Sequence, residues 1–348
     1  MKKKELVIVG PGLIGSKHIE LITNNRRCFL SAIVAPNHEH DKKIAENLGV
    51  PLYFNLDKLF KDISPDGVII CSPNKFHVAQ SILCIKKKIP VLVEKPISHS
   101  YKSGLKVIHE LEKNNAKLLV GHHRTYSPII AEAKKIIKTN KIGQVVTLMG
   151  SALFYKPSKY FKDGPWRKKI GGGPILINLI HEIGNFRALC GEIESVSAVA
   201  SKKIRKFEVE DTVALIFSFR SGALGTFLLS DTAASPKSWE QTSGENPSFA
   251  HYPDEDCYVL SGTRGSLSMP SMKLRIYPQN IIPSWQSNFK TEFVKINKID
   301  PLDAQLNHFL DVIEGKSEPR VSAYDGLENL RILEAILKST RLKKVIHV

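Results

Sequence analysis

The chain opens its fold with residues 5–15, which read ELVIVGPGLIG. Residues 5–10 form a short β-branched apolar run, the pattern of a strand that is buried on both faces. Glycines stand at positions 10, 12 and 15, and a helical stretch begins near residue 14. A strand, a glycine turn and a helix in this order predict a domain in which strands and helices alternate.

The alternation continues to about residue 124. Strands are predicted at 29–34, 67–71, 91–94 and 118–120, and helices at 42–48, 77–87 and 101–114. Strands that alternate with helices of this length indicate a doubly wound parallel sheet with right-handed crossovers. We therefore expect an N-terminal α/β domain over residues 1–124.

After residue 125 the pattern changes to strands joined by short turns, which favours an antiparallel sheet. The predicted strands are 144–153, 196–200, 212–219, 223–230, 257–261, 266–269 and 273–277, and helices are predicted at 129–139, 171–190, 302–313 and 327–337. We expect a second domain over residues 125–348, whose last helices could pack back on the first. The polar stretch 231–256 has no clear period and is interpreted as a functional lid or a mobile excursion.

Composition excludes several classes of protein. The 348 residues are 42% hydrophobic, which is too apolar for a disordered chain, and no apolar run is long enough to span a bilayer. The net charge is +16, but the lysine clusters are short, scattered and not interleaved with aromatic residues. This pattern weighs against nucleic acid as a partner, although the surface potential favours an anionic substrate.

Two further features bear on location and metals. The first strand begins at Glu5, which leaves no room for a secretory signal, so we expect a cytoplasmic protein. The five cysteines show no C-x-x-C spacing and are read as reduced thiols. His122 and His123 are adjacent, and neighbours in a strand point to opposite faces, so we predict no metal site.

The glycine turn fits the dinucleotide-binding pattern G-x-G-x-x-G. Gly10 would allow the tight turn, Gly12 would let a pyrophosphate approach the backbone, and Gly15 would let the helix pack on the strand. Leu13 and Ile14 begin the helix, whose N-terminus attracts phosphate. These five residues are predicted to bind the cofactor.

The second strand lacks the acidic residue that usually binds the adenosine ribose. Ala35 stands near its end and cannot hydrogen-bond a 2′-hydroxyl, and no carboxylate there repels a 2′-phosphate. Asn37, His38 or the lysines at 42 and 43 could accept such a phosphate. NADP is therefore as plausible as NAD and slightly favoured, while the alternative is an NAD ribose held by Asn37 or by backbone groups.

Five later motifs occur in a characteristic order: CSPNKFH at 71–77, EKP at 94–96, GHHRTYSP at 121–128, GGGP at 171–174 and VSAYDGL at 321–327. Together they resemble the Gfo/Idh/MocA family, and the similarity covers nearly the whole chain. The resemblance implies an N-terminal Rossmann domain and a C-terminal α/β domain with an open, mostly antiparallel sheet. It also implies homodimers or homotetramers paired through that sheet. The implied reaction is reversible oxidation of a secondary alcohol on a sugar, polyol or nucleotide sugar, with NAD or NADP taking the hydride.

The resemblance assigns roles to particular residues. Lys95 becomes the central catalytic residue, Glu94 orients its loop, and His181 relays the proton beside a bound nicotinamide. Asn178, three residues before His181, would bond a substrate hydroxyl. The implied cofactor contacts outside the glycine turn and the second strand are Ser72, Asn74, His77, Glu94 and Lys95.

Four residues are implied to contact the substrate: Arg124, Tyr126, Trp166 and Arg167. The chain departs from the family pattern at two positions, because many family members carry acids where this chain has Ile177 and Gly184. Fewer groups are then available to transfer the proton. The relay would then rest on Lys95 and His181 alone. A non-catalytic dinucleotide-binding regulator of the same fold is the alternative function, and the presence of both Lys95 and His181 favours the enzyme.

Overall fold

The computed structural model describes residues 2–36 and 38–348. The chain forms two compact units, Met1–Tyr126 with Pro301–Leu330, and Ser127–Asp300 with Arg331–Val348. The first division falls two residues after the boundary expected at residue 124, and the first unit also takes a segment from the C-terminal part of the chain.

A six-stranded parallel sheet forms the centre of the first unit. Its strands are β1 (Lys4–Val9), β2 (Cys28–Val34), β3 (Leu52–Tyr53), β4 (Gly67–Ile70), β5 (Val91–Glu94) and β6 (Leu118–Gly121). They lie in the order β3-β2-β1-β4-β5-β6, so the direction of winding reverses between β1 and β4. The predicted doubly wound sheet is confirmed. Ligands of such sheets bind at the carboxyl ends of the strands near this reversal.

Helices connect these strands: α1 (Leu13–Asn24), α2 (Glu39–Leu48), α3 (Leu56–Asp62), α4 (His77–Lys86) and α5 (Tyr101–Asn114). Short 3₁₀ turns span Asn74–Phe76 and His123–Tyr126. The apolar faces of the helices cover strands whose central residues, such as Ile8 and Ile69, are fully buried. Burial on both faces explains why the strand sequences are continuously apolar.

The second unit contains a nine-stranded mixed sheet. Its strands are β7 (Val145–Leu153), β8 (Ile193–Ser201), β9 (Thr212–Phe219), β10 (Leu224–Ser230), β11 (Tyr258–Gly262), β12 (Gly265–Met269), β13 (Lys273–Ile276), β14 (Lys290–Phe293) and β15 (Ile346–His347). The order is β14-β13-β12-β11-β7-β10-β9-β8-β15. Within the described strands of this sheet, only β7 and β10 pair in parallel, so the prediction of a mostly antiparallel sheet is confirmed.

The second unit also contains α6 (Pro128–Lys138), α7 (Ser158–Asp163), α8 (Ile180–Cys190) and α9 (Trp239–Thr242), and residues of α6, α8 and α9 share a hydrophobic core with the sheet. Phe186 of α8 packs edge-on against Phe217, Phe227 and Tyr258 of the sheet. The helix predicted over 171–190 differs at its start, because Ile175–Leu179 is a π-helical turn that leads into α8. A π turn is wound more loosely than an α turn and is frequent at functional sites.

The stretch 231–256 packs on the second unit only in part, because its residues 246–254 are exposed. It contains α9, which Ser238 caps by accepting the backbone N–H of Gln241. Trp239 is 3% exposed, and its ring centroid lies 5.4 Å from that of Tyr258. Its indole N–H also donates to Glu245. The segment from Ser238 to Glu245 therefore packs against the second unit.

Two long helices, α10 (Pro301–Ile313) and α11 (Ala323–Leu342), come near the end of the sequence. Leu306 and Phe309 of α10 are fully buried in the core of the first unit. Within α11, Leu327 belongs to the core of the first unit, whereas Ile332 and Ile336 belong to that of the second. None of the helices in the described part of the chain has the length and apolar character that a membrane crossing requires.

Candidate active site

The glycine turn after β1 has the space that a pyrophosphate needs. Gly10 has φ +88°, and a Cβ there would lie 2.9 Å from the backbone of Ser72. A Cβ on Gly15 would collide with the carbonyl oxygen of Gly10. A Cβ on Gly12, by contrast, would meet nothing within 4 Å. Two glycines thus allow close packing, and the third keeps an open approach to the backbone, as a dinucleotide requires.

The helix after this turn has an uncapped N-terminus. Gly12 is its N-cap and supplies no side chain, while Leu13 is 83% exposed and Ile14 is half-buried. The first backbone N–H groups of α1 are therefore not bonded by a capping side chain, and they can donate to phosphate oxygens. These residues fit the diphosphate of a nicotinamide dinucleotide.

The end of β2 offers no carboxylate to an adenosine ribose. Ala35 is 3% exposed, and its N–H donates to the carbonyl of Tyr53 at 3.0 Å. Asn37 lies outside the described residues. His38 is exposed and is the N-cap of α2, and Lys42 in the first turn of α2 is half-buried. The first turn of α2 also carries the acids Glu39 and Asp41, so only the lack of a carboxylate at position 35 favours a 2′-phosphate.

His77 joins the loops that follow β4 and β5. Its Nδ1 lies 2.8 Å from the carbonyl oxygen of Pro96, and its Nε2 lies 2.7 Å from that of Ser72. Burial lowers the pKa of His77, although both carbonyls favour the protonated ring. Because both ring nitrogens face backbone carbonyls, His77 positions these loops, and its predicted cofactor contact stays a prediction.

Ser72 and Asn74 lie in the same loop. Ser72 donates its hydroxyl to the side-chain oxygen of Gln80 at 2.6 Å, and its backbone contacts Gly10 as described above. Asn74 begins the 3₁₀ turn and is half-buried. The backbone of Ser72 therefore lies beside the glycine turn. The cofactor contacts predicted for Ser72 and Asn74 stay predictions.

The carboxylate of Glu94 hydrogen-bonds the backbone of Lys95. The Glu94 Oε2 accepts the N–H of Lys95 at 3.2 Å, and Oε1 lies 2.9 Å from Nε2 of His18 on α1. Burial alone would raise the pKa of Glu94, but the His18 hydrogen bond and the nearby charges of His18 and Lys95 lower it below its usual value. Glu94 is only 5% exposed, so it orients the loop. Lys95 is half-buried and precedes a cis peptide bond to Pro96.

His18 is not among the site residues predicted from the sequence. It is fully buried on the same face of α1 as Gly15, Ile19 and Ile22. A histidine among apolar residues on the buried face of a helix needs a polar partner, and that pattern was a usable signal.

Arg124 and Tyr126 are both about 4% exposed within the 3₁₀ turn after β6. The ring of Tyr126 packs against His308, and the guanidinium of Arg320 lies 4.7 Å from its centroid. Burial raises the pKa of Tyr126 well above its usual range. Tyr126 thus contributes to the packing of the first unit, and its predicted substrate contact stays a prediction, as does that of Arg124.

In the second unit, Glu210 fixes the start of the segment that carries Asn178 and His181. Its Oε1 accepts the N–H of Ile175 at 2.9 Å, at the first residue of the π turn. Gly173 has φ +81°, and a Cβ there would lie 2.6 Å from the same oxygen. Burial raises the pKa of Glu210 to about 7, against the lowering effect of the Ile175 hydrogen bond. No local sequence pattern indicates this contact.

Asn178 lies in the π turn and His181 in the first turn of α8. His181 is 8% exposed. Asn178 is half-buried in the π turn, so the α-helical spacing assumed between the two residues does not apply. The next residue, Glu182, accepts a hydrogen bond from the buried hydroxyl of Tyr258 and anchors α8 to the sheet.

Asn178 lines a cavity of about 400 Å³ in the second unit, which we call the Lys156 pocket. The Lys156 ammonium donates to Oδ1 of Asn178 at 2.6 Å. The lining comprises Phe154, Tyr155, Lys156, Pro157, Tyr160, Asn178, Ser238, Glu240, Gln241, Phe249 and Ala250. Of these residues, only Asn178 was a predicted site residue. The others come from three separate stretches that only the fold brings together.

Trp166 and Arg167 lie in the 3₁₀ turn Pro165–Lys168. Trp166 is 55% exposed. The guanidinium of Arg167 lies 3.9 Å from the ring centroid of Tyr160 and donates to the carbonyl of Tyr160. Arg167 therefore braces a residue of the Lys156 pocket, and a direct grip on the substrate stays a prediction for both residues.

Two family models match the chain. The model described as "Oxidoreductase family, NAD-binding Rossmann fold" matches residues 4–122, and the "GFO/IDH/MocA C-terminal domain" matches residues 130–268. Together they cover most of the sequence and correspond to the parallel and mixed sheets.

Relatives with assigned names agree with these matches. A myo-inositol 2-dehydrogenase of Thermotoga maritima is 28% identical over 226 residues, which are 63% of this chain and 66% of the relative. An inositol 2-dehydrogenase of Rhizobium meliloti is 23% identical over 98% of both chains. Two other inositol 2-dehydrogenases are matched over only 45% of their length, so the match to several relatives is partial.

Solved structures show the same fold. The WlbA dehydrogenase of Bordetella pertussis, in complex with NADH and UDP-GlcNAcA, superposes with a TM-score of 0.80 at 21% identity over 100% of this chain and 99% of that one. Since the two models of one family match residues 4–122 and 130–268, and since the glycine turn fits a dinucleotide, the chain belongs to the Gfo/Idh/MocA family, whose N-terminal domain is described as an NAD-binding Rossmann fold.

Proposed function

We propose that this enzyme transfers a hydride between nicotinamide and a secondary alcohol or ketone of a sugar, polyol or nucleotide sugar. The observation that carries the proposal is the placement of Lys95 directly after β5, at the carboxyl edge where the glycine turn lies. The names of the inositol dehydrogenase relatives and the UDP-GlcNAcA bound to the WlbA dehydrogenase support the substrate class.

Oxidation of an alcohol requires removal of the hydroxyl proton as the hydride leaves. A bound nicotinamide supplies the hydride acceptor. In the proposed mechanism the neutral Lys95 amine accepts the hydroxyl proton, and the ammonium so formed hydrogen-bonds the reacting oxygen and stabilises the negative charge that develops there. His181 takes the proton onward, and Asn178 orients the substrate through its amide. Glu94 keeps the Lys95 backbone in place through its accepted hydrogen bond.

The proposed proton relay of this chain contains fewer acidic residues than that of many members of the family. Ile177 and Gly184 stand where many members of the family carry acids, and neither side chain can exchange a proton. We therefore propose that Lys95 and His181 carry the proton without a further carboxylate.

We propose NADP as the slightly preferred cofactor, with NAD as the alternative. The support is the buried methyl group of Ala35 at the end of β2. A 2′-phosphate meets no acidic residue at position 35.

We also propose a homo-oligomer paired through the mixed sheet. Across β11, β7, β10, β9 and β8, three adjacent cross-strand rows on the outward side contain no charged residue; two of these rows reach the charges of Lys273 and Arg275 only where they continue onto β13. The rows are Val259-Met149-Thr226-Ile216-Ser197, Ser151-Leu228-Ala214-Val199 and Ser261-Thr147-Leu224-Ser218-Ser195. Met149, Ile216, Leu228 and Val199 are each at least half exposed. An uncharged apolar face of this extent favours burial against a second copy.

A cytoplasmic location is proposed from the five cysteines, none of which is joined in a disulfide and four of which are buried. Small-molecule substrates are proposed as partners, in preference to nucleic acid or a membrane.

The function is tested by incubating the purified protein with NAD⁺ or NADP⁺ and a panel of inositols, hexoses, uronates and nucleotide sugars while the absorbance of the reduced cofactor is followed. We expect reduction with at least one member of the panel. Saturable cofactor binding without reduction by any of them would instead support the dinucleotide-binding regulator.

A further inference from the structure

We propose that the Lys156 pocket selects a substrate that carries a carboxylate, such as a sugar acid, and that Lys156 binds this carboxylate. The inference rests on the proposed function, since it names the class of substrate for the same site. It makes Lys156 a specificity-determining residue that the comparisons do not assign.

The Lys156 ammonium is held in a fixed position. The backbone N–H of Lys156 donates to the carbonyl of Asp231 at 2.9 Å, and its carbonyl accepts from Nη2 of Arg205 at 2.9 Å. The ammonium bonds Asn178 and lies 4.8 Å from the ring centroid of Tyr160. A lysine fixed at both its backbone and its head loses little further entropy when it binds an anion.

The nearby carboxylate of Asp231 is paired with a cation other than Lys156. Arg205 pairs with Asp231 at 2.6 Å, and both side chains are less than 10% exposed. Burial raises the pKa of Asp231, whereas the Arg205 hydrogen bond and the charge of Lys156 lower it. Asp231 therefore has its own cation, which also holds the Lys156 backbone.

The amides that line the pocket present donors. Asn178 uses its oxygen to accept from Lys156, so its NH₂ group is the part left to face a ligand. Gln241 likewise accepts from the hydroxyl of Ser238 at 3.2 Å, which leaves its NH₂ group. With an ammonium beside them, these amides favour a ligand group that only accepts hydrogen bonds, and a carboxylate is such a group.

The rest of the lining suits a polyhydroxylated ring or chain. Phe154, Tyr155, Tyr160 and Phe249 provide aromatic walls for its C–H faces, and the carboxylate of Glu240 can accept from its hydroxyls. The volume of about 400 Å³ is within the usual range for a small-molecule site. The overall charge of +16 also favours the approach of an anion.

The test compares acids with their neutral esters. Binding of D-glucuronate, D-galacturonate and their methyl esters to the full-length, cofactor-loaded protein is measured by titration calorimetry. We expect at least one acid to bind about tenfold or more tightly than its ester, the scale of one charge-assisted hydrogen bond. Lys156→Met should remove this preference, and Lys156→Arg should retain it.

Lys159→Met is the matched control, because Lys159 is an exposed lysine three residues after Lys156 and pairs with Asp163. It should leave the acid-to-ester ratio unchanged. The inference is overturned if the wild type binds acid and ester equally, if it binds none of the four, or if Lys156→Met keeps the preference.

Failure of the two proposals can be told apart because calorimetry does not need turnover. Selective binding of an acid without reduction of the cofactor would contradict the dehydrogenase and support the anion site. Turnover of neutral polyols without any preference for acids would support the dehydrogenase and overturn the anion site.

Discussion

The Nε2 of His18 lies 2.9 Å from Oε1 of Glu94, and both side chains are almost completely buried. His18 belongs to the helix that starts at the glycine turn, while Glu94 ends β5 and bonds the backbone of Lys95. The contact thus connects the helix of the phosphate cradle to the strand end that carries the proposed catalytic lysine. Nδ1 of His18 has no partner among the described residues, so the proton needed for the contact is on Nε2.

Replacement of His18 by leucine should lower the free energy of unfolding by about 3–5 kcal/mol, because Glu94 is then left buried without its partner. Urea denaturation measures the effect. The double variant His18→Leu/Glu94→Leu should recover part of the loss, since the uncompensated charge is gone. A single variant as stable as the wild type would contradict the coupling.

Lys95→Ala should lower kcat by at least about a hundredfold, the scale of a lost proton-transfer group, while folding and cofactor binding are retained. Steady-state kinetics and a cofactor titration measure the two effects. Lys102→Ala is the control, because Lys102 is an exposed lysine in the first turn of α5. An unchanged kcat would remove Lys95 from the mechanism.

Ala35→Asp should shift the preference toward NAD, because it places a carboxylate where it can bond a ribose hydroxyl and repel a 2′-phosphate. The ratio of kcat/KM for NADP to that for NAD is the measurement. Ala35→Asn has nearly the same volume without the charge and should shift the ratio much less. A ratio that is the same in all three proteins would place the adenosine ribose elsewhere.

Glu210 should make stability depend on pH. Burial raises the pKa of its carboxyl to about 7, so the folded state binds this proton more tightly than the unfolded chain, whose pKa is about 4.3. Its contribution is therefore largest below about pH 4.3 and is lost as pH rises through about 7.

Glu210→Gln keeps an oxygen for the Ile175 N–H and cannot ionise, so it should raise Tm at pH 8 and flatten the decline between pH 5 and 8. Thermal unfolding at several pH values measures this. Glu208→Gln, at an exposed glutamate two residues earlier, should change neither. Parallel pH profiles of wild type and Glu210→Gln would contradict the assignment.

Ile216→Asp should convert the oligomer to monomers, because it places a charge in the middle of the uncharged rows of the mixed sheet. Ile216 is 53% exposed in one chain. Light scattering after size exclusion measures the mass. Leu105→Asp is the control, since Leu105 is a similarly exposed apolar residue of α5. A monomeric wild type, or an unchanged mass in Ile216→Asp, would refute pairing through this face.

The fold of the first unit could be predicted because its signals are local. The apolar strands, the helical periods and the glycine spacing each lie within a few residues, and β5 and α5 were predicted with their observed bounds. The two-residue strand β3 and the seven-residue helix α3 were not predicted, because such short elements show little periodicity in their sequence.

The candidate site could be predicted only in part. Lys95, Asn178 and His181 came from motifs, whereas the His18–Glu94 contact joins residues 76 positions apart and depends on the pairing of elements. Lys156, Tyr160 and Gln241 come from stretches that meet only in the folded chain. The π turn was also beyond a pattern analysis that assumes 3.6 residues per turn.

The inclusion of α10 in the first unit has a consequence for biosynthesis. Leu306, Phe309 and Leu310 complete a core whose strands are translated far earlier, before the whole of the Ser127–Asp300 stretch. The nascent N-terminal sheet therefore emerges from the ribosome with part of its apolar surface uncovered and remains so until α10 arrives. During that interval the growing polypeptide presents a natural target for chaperones.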